Sequence, residues 1–545
     1  MPSEAPEKLQ RSARLTMNVP LTPIRCLYRA VDLYGKKRGV GSGTSSFTYA
    51  QFGERCERLA AGLLSQGIRS GDRVAYLSFN NHQLLEGYYG PPLIRAISMP
   101  LNVRLQPAEL SVILRHANAS MLVFESEFAP LVEEIRKHCS SIKTCVAIDQ
   151  PVPQADIFLE DLMAHGRISR PDIFSIDENE IAEIFYTSGS TGTPKGVMLS
   201  HRTLYVHALG ILSTFQCKDT DVELHTIPLF HANGWGRPQS ITMKGSSHVM
   251  VRRFEPAHVL RLIQDEKATG MTLVPTMANA LINCPELGKF DTSSMRVITM
   301  GGAASSPELI DRLEQAFHCD VCSGYGLTET APVATTAQTK SNVICADDTE
   351  RLSRLAAAGW PMVGSEVHVV DSEMRDVPQD MQTVGEVAVR GDNVMDGYYR
   401  EPEATQAAIT NGWLRTGDMA VWDDENYIYI VDRKKDIIIS GGENISSIEV
   451  EKAIFAHPAV LECAVVSAPD PQWGEIPVAI VVLKPAQELS EEQLLSSLKP
   501  RIAKYKMPRL VKFVEGPLPK TGTGKMLKRQ LREAFWTGKS TRVQG

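Results

Sequence analysis

LIDRLEQAFHCDVCSGYGLTET, Leu309 to Thr330, sets three kinds of residue order end to end. Apolar residues recur first at helical spacing, a short apolar strand DVCS follows, and a Gly-rich turn closes the stretch. The same helix-then-strand order occurs three times upstream. FTYAQFGERCERLAAGLLSQGI (47–68) precedes RVAYLSF (73–79), LSVILRHA precedes SMLVFESE (110–127), and HVLRLIQDEKA precedes TGMTLVPT (258–276). Repeated alternation of this kind predicts a parallel sheet covered by helices, with ligands held by the loops at the carboxyl ends of strands.

Beyond about residue 360 the order changes. SEVHVVD, GEVAVRGD and YIYIVD read as short antiparallel strands, and from Arg433 a helix–strand–strand–helix–strand unit follows. The expected fold class is α/β: a large N-terminal domain of parallel α/β sheets with a β-rich subdomain (1–432), then a small mobile α+β C-terminal domain (433–545). The polar run DRKKD (432–436) reads as the hinge between them.

The chain has 545 residues, 43 % of them hydrophobic and 22 % charged, which suits a globular protein of more than one domain. Its net charge of -7 provides no basic field for nucleic acid or anionic lipid. No apolar run approaches the ~18–20 residues of a membrane span, and MPSEAPEKLQRSARL has no signal-peptide core. RVQG at the C-terminus is not a peroxisomal address, and the ten scattered cysteines read as reduced thiols of a cytoplasmic protein.

Within YTSGSTGTPKG, Tyr186 to Gly196, small hydroxylated residues and glycines expose closely spaced backbone N–H groups that can surround a polyphosphate. Lys195 adds a point charge. The order is not that of a Walker loop, in which GK[ST] opens directly into a helix. In SGYGLTET, the Tyr325 ring can stack on a purine and Glu329 can hold Mg2+ through oxygen. RTGD ends on Asp418, an acceptor suited to both ribose hydroxyls, although TGD is also a common turn.

Together YTSGSTGTPKG, MGGAAS (300–305), SGYGLTET, RTGD, DRKKD, SGGENISSIEVE (440–451) and PLPKTGTGKMLKR (517–529) resemble, in family order, the adenylate-forming superfamily. That superfamily holds acyl-CoA synthetases, coumarate–CoA ligases, firefly-type luciferases and peptide-synthetase adenylation domains. The resemblance implies an AMP-forming acyl-CoA synthetase that uses ATP, Mg2+ and CoA on a small to medium carboxylic acid, first as an acyl adenylate and then as a thioester. It implies no nucleic-acid partner and leaves a homodimer open.

The resemblance also implies the following roles. Thr187, Ser188, Gly189, Ser190, Thr191, Gly192 and Lys195 hold phosphates, with Thr191 and Glu329 on the metal. Gly302, Ala303, Gly324, Tyr325 and Gly326 line the nucleotide, Thr328 meets phosphate, and Asp418 and Arg433 take the ribose side. Lys435 occupies the hinge position, and Gly441, Gly442 and Glu443 serve the second half-reaction. Lys525 is the catalytic lysine that joins carboxylate to α-phosphate. His231 stands near the substrate carboxylate, Trp235 at the gate of the acyl pocket and Gly301 in its lining. Arg237 departs from the apolar residue expected there: solvent is the favoured assignment and a polar or carboxylated acyl tail the alternative. Amino-acid activation, luciferase-like oxygenation, a phosphate-transferring ATPase or kinase and a non-catalytic nucleotide-binding scaffold are the competing readings. The presence of Lys525, Glu329 and Asp418 argues against the scaffold.

Overall fold

A computed structural model describes residues 18–188, 194–440, 443–520 and 526–536. The alternating segments form as expected. Tyr49–Ser65 is a helix begun by a reciprocal cap: Gln51 N–H donates to Thr48 Oγ1 (3.3 Å), and Thr48 N–H to Gln51 Oε1 (2.8 Å). Pro307–Phe317 starts on a Ser306 cap and ends at His318 in the left-handed region (φ 50°). It buries Leu309, Ile310, Leu313 and Phe317, each side chain contributing roughly 1.5–3 kcal/mol.

Two large sheets carry most of the chain. The first, of nine strands, has a parallel centre of Asp320–Gly326, Val297–Met300, Gly270–Leu273, Val222–His225 and Ser247–Met250 in that spatial order. The second, of eight, is parallel from Ile181–Ser188 through Ile97–Pro100, Arg73–Leu77, Met121–Phe124 and Thr144–Ala147. Its edge is antiparallel, because Pro194–Ser200 folds back on Ile181–Ser188 and then pairs with Gly397–Tyr398. An antiparallel sheet of Ser365–Val370, Gly385–Gly391, Trp413–Trp422, Ile409–Thr410 and Ile428–Arg433 follows. A last sheet draws its described strands from Ile438–Ser440 onward.

Two loop assignments change. The Asp320–Gly326 strand runs through SGYG, so the turn begins only at Leu327. RTGD lies inside the ten-residue strand Trp413–Trp422, where Gly417 takes φ +73° at a register shift. Gly tolerates that backbone, so the strand bends without ending.

The faces of the nine-stranded sheet differ in chemistry. Leu224, Val249, Met271, Leu273, Ile298 and Met300 join one apolar cluster with the helices beyond them. The other face turns Glu223, His225, His248, Thr272 and Thr299 inward beneath the helix Arg237–Lys244. Buried polar groups at this density must be paired, and the two histidines share one bond (Nε2 to Nδ1, 2.9 Å). Among the described residues, no helix is long and apolar enough to cross a membrane.

Candidate active site

The phosphate-loop motif is the connection of a hairpin. Thr187 pairs with Lys195 and Ser188 with Pro194, so both ends of the loop are fixed by ladder hydrogen bonds. Gly189, Ser190, Thr191 and Gly192 lie outside the described residues. Lys195 places its Nζ 4.8 Å from the centre of the Tyr398 ring, a cation–π distance. The Tyr398 hydroxyl donates to Glu329 Oε1 at 2.9 Å. Burial and then the Glu329 charge push the Tyr398 phenol far up, so it stays a neutral donor. One tyrosine thus joins the cation of the first motif to the carboxylate of the second.

Sequence reasoning missed Tyr398. It arrives through the pairing Tyr398–Val197, across 201 positions of chain; nothing in GYYREPE marks it. Glu329 Oε2 has no hydrogen-bond partner among the described residues, and Met395 N–H donates to the Glu329 carbonyl (2.8 Å). Among the described residues, no group of three or more His, Cys, Asp or Glu forms a metal cage. A half-buried carboxylate with one open oxygen fits Mg2+, which binds through one or two carboxylates plus phosphate. Thr328 is buried in the following 3-10 turn.

Tyr325, Asp418 and Arg433 meet. Tyr325 Oη donates to Asp418 Oδ2 at 2.8 Å, and Arg433 Nε stands 3.4 Å from Asp418 Oδ1. Asp418 and Arg433 are cross-strand partners, so the pair is a product of register. Burial, then Asp418, pushes the Tyr325 phenol well up. Gly326 admits no Cβ, since one would run into the Pro332 carbonyl. Gly324 allows only tight contact with Thr335 O, at 3.2 Å.

The acyl-side residues form a third group. His231 is half-buried, and Ala232 to Gly236 all take positive φ (47° to 69°). Asn233 Nδ2 donates to the Ala331 carbonyl (3.2 Å), tying this turn to the SGYGLTET loop. The Trp235 indole lies against Gly301, where a Cβ would overlap the ring. Gly302 follows at φ +74°, and Ala303 is exposed beside it. His207 is buried with its imidazole pulled down to about 3 by burial and then by Arg237; it accepts from Val333 N–H (3.1 Å).

Arg237 does not face solvent. It is 6 % exposed, with Nε 3.4 Å from Glu223 Oε1, Nη2 donating to Thr299 Oγ1 (3.1 Å) and the guanidinium over the Phe215 ring. The left-handed turn rotates the start of the Arg237–Lys244 helix, so its first residue points at the sheet.

The small-unit residues are placed less completely. Lys435 is exposed; its carbonyl accepts from Arg532 Nη1 (2.9 Å), which also pairs with Asp436 (2.9 Å). Desolvation, then Arg433, lowers the Lys435 ammonium. Glu443 is exposed in a hairpin with Ser440. Gly441, Gly442 and Lys525 lie outside the described residues. Three residues past Lys525, Lys528 pairs with Glu451 (2.8 Å) and donates to Ser447 Oγ (2.6 Å).

Comparison with known proteins agrees with this geometry. Residues 27–399 match the AMP-binding enzyme family, and residues 449–525 match the AMP-binding enzyme C-terminal domain. The chain is 38 % identical over 517 residues to a long-chain-fatty-acid–CoA ligase of Thermus thermophilus, covering 93 % of this chain and 94 % of the relative. It is 36 % identical over 537 residues to a peroxisomal butyrate–CoA ligase of Arabidopsis thaliana, covering 95 % and 93 %. The crystal structure of an anthranilate CoA ligase in complex with anthranoyl-AMP superposes with a TM-score of 0.85 at 26 % identity, covering 95 % of this chain and 98 % of that one. The chain belongs to the AMP-binding enzyme family, as an adenylate-forming acyl-CoA synthetase.

Proposed function

We propose that this acid–thiol ligase takes a small to medium organic acid and that the three groups of side chains divide the reaction among them. The relatives named above act on a long-chain fatty acid, butyrate and anthranilate, so family membership leaves the acid open. The observation that carries the division is the Lys195–Tyr398–Glu329 bridge, which unites the two phosphate-facing motifs.

In the first half-reaction, a carboxylate oxygen of the acid attacks the α-phosphorus of ATP. The α–β anhydride bond breaks, pyrophosphate leaves, and an acyl adenylate forms. Lys195 and the loop around it neutralise the leaving phosphates, and Thr328 donates to phosphate. Tyr325, Asp418 and Arg433 hold the nucleoside, with Asp418 accepting from ribose. Mg2+, when bound, supplies further charge neutralisation, with Glu329 Oε2 and Thr191 as its protein ligands. Transfer of this kind depends on positioning and charge. His231 orients the carboxylate, and Lys525 bridges it to the α-phosphate.

In the second half-reaction the CoA thiol, losing its proton, attacks the acyl carbonyl. The thioester forms and AMP leaves. We assign 1–432 and 433–545 to two domains hinged at Lys435, so that one face brings Lys525 and another brings Gly441, Gly442 and Glu443. Support for the boundary comes from the last sheet, whose described strands all follow residue 437. A cytoplasmic site of action accords with ten cysteines of which none forms a disulfide; a homodimer is the assembly to test by light scattering.

Release of AMP and pyrophosphate is the measurement, over a panel of carboxylic acids with and without CoA. The expected result is acid-dependent pyrophosphate without CoA and turnover to AMP with it. Release of ADP, or AMP formation indifferent to the acid, refutes the reading.

A further inference from the structure

Behind Trp235 the protein places a buried pair of opposite charges whose hydrogen-bonding capacity is not filled. Thr299 and Gly301 are two residues apart on one strand direction, because Gly301 N–H continues the ladder to Leu273 O. The Thr299 side chain and the side of Gly301 on which a Cβ would stand therefore lie on one face. Trp235 rests on Gly301, and Arg237 bonds Thr299. The guanidinium thus lies about 7 Å further into the sheet than the point the indole covers, at two residues of strand rise.

A guanidinium has five N–H donors. One of Arg237's goes to Thr299 Oγ1, while the Glu223 contact at 3.4 Å is an ion pair and not a hydrogen bond. The Glu223 carboxylate accepts no hydrogen bond from any described residue; it has only the ion-pair contact at 3.4 Å. Burial pushes this carboxyl up and the facing guanidinium pulls it back. A buried pair in this condition costs free energy until further hydrogen bonds complete it. An alkyl tail would desolvate both groups and satisfy neither. A second carboxylate would upset a pair that already cancels its own charge. A hydroxyl donates to Glu223 and accepts from Arg237 at once.

We propose that Arg237 and Glu223 form the far wall of the acyl pocket and select an acid that carries a hydroxyl at its distal end. The proposal rests on the reading that Trp235 and Gly301 line the acyl pocket. It makes Arg237 a specificity-determining residue and explains why a cation follows the gate. A site built around a buried polar pair discriminates against a ligand lacking the partner group by up to about 10⁴–10⁵. With one hydroxyl shared between two residues, about 10²-fold is expected here.

The test is kcat/KM for AMP release with CoA on unbranched acids of four, six and eight carbons. Each is supplied plain, ω-hydroxylated and ω-carboxylated. Wild type is expected to favour the hydroxy acid at one of the three lengths by about 10²-fold, mainly through KM. The double variant Arg237→Met with Glu223→Gln removes both charges, so neither is left buried alone, and is expected to bring the ratio within about tenfold of unity. Wild-type preference for the plain acid or the dicarboxylate overturns the proposal. So does unchanged discrimination in a double variant that melts like wild type. Gly301→Val separates the two levels: if it raises KM for every acid while the double variant leaves discrimination intact, only the role of the pair fails. If Gly301→Val leaves every KM unchanged, the pocket reading fails and the proposal falls with it.

Discussion

Tyr398→Phe separates two contacts made by one ring. The hydroxyl bonds Glu329 Oε1 at 2.9 Å, while the ring face lies under Lys195 Nζ at 4.8 Å. Phenylalanine keeps the face and removes the hydroxyl. A hydrogen bond to a charged group contributes roughly 1.5–3 kcal/mol. At about 1.4 kcal/mol per decade, the loss corresponds to roughly 10- to 10²-fold in acid-dependent ATP–pyrophosphate exchange if Glu329 must be held for the chemistry. Tyr398→Leu also removes the cation–π contact and is expected to cost a further ~2- to 30-fold. Exchange is measured at saturating acid over a Mg2+ titration. The apparent Mg2+ midpoint should move in Tyr398→Phe, because the carboxylate loses its orienting donor, and the shift should be no smaller in the leucine variant. Exchange within twofold of wild type in Tyr398→Phe, with an unmoved Mg2+ midpoint, refutes the bridge as a functional element.

Lys525→Ala is expected to lose acid-dependent pyrophosphate exchange by about 10²–10³ while still forming thioester from supplied acyl adenylate; equal loss in both assays removes this lysine from the first step. In Gly301→Ala the new Cβ overlaps the Trp235 indole. Overpacking of about 1–3 kcal/mol should therefore lower Tm, shift tryptophan emission and raise the acid KM; unchanged emission would show that the ring does not rest there. His225 is buried with its imidazole held down to about 3, by desolvation and then by Arg237. Its unfolded value is near 6.5, so the unfolded chain takes the proton first. Stability is lost as pH falls below 6.5, by about 1.4 kcal/mol at pH 5.5. Melts at pH 7 and 5.5 should show a smaller acid loss in His225→Gln than in wild type, and equal losses contradict the neutral buried state.

Local order was the legible part. Periodicity marked Tyr49–Ser65 and Pro307–Phe317, and the structure caps them locally at Thr48, Gln51 and Ser306, each within one turn of chain. The Asp418–Arg433 contact was half visible: both residues stood in motifs, and strand register then set them side by side. What escaped was set by distant chain. Tyr398 reaches Glu329 because its strand adds to the edge of the hairpin that carries Lys195. Arg237 read as a surface cation because charge usually faces water; its inward course depends on five left-handed residues before it and on Glu223 across the layer. RTGD read as a turn because Gly417 supplies turn chemistry, yet pairing on both sides keeps it in a strand.

If the chain swings at Lys435 as proposed, the contacts on either side of it set the timing. Ser446 Oγ donates to Val431 O, while Ser447 N–H and Oγ both donate to Asp432 Oδ2, each at 2.6 Å. These three bonds join residues before Arg433 to residues after Lys435, so the proposed rotation would have to break the set. Two go to a carboxylate, and together they bias this pose by several kcal/mol, a detent with a dwell time. A ligand can release it only through a matching difference in affinity between the two poses. Asp432→Asn should weaken the detent and change the two half-reactions in opposite senses. The half that slows in single-turnover kinetics is the one this pose serves, and parallel changes in both would show that the bonds do not time the swing.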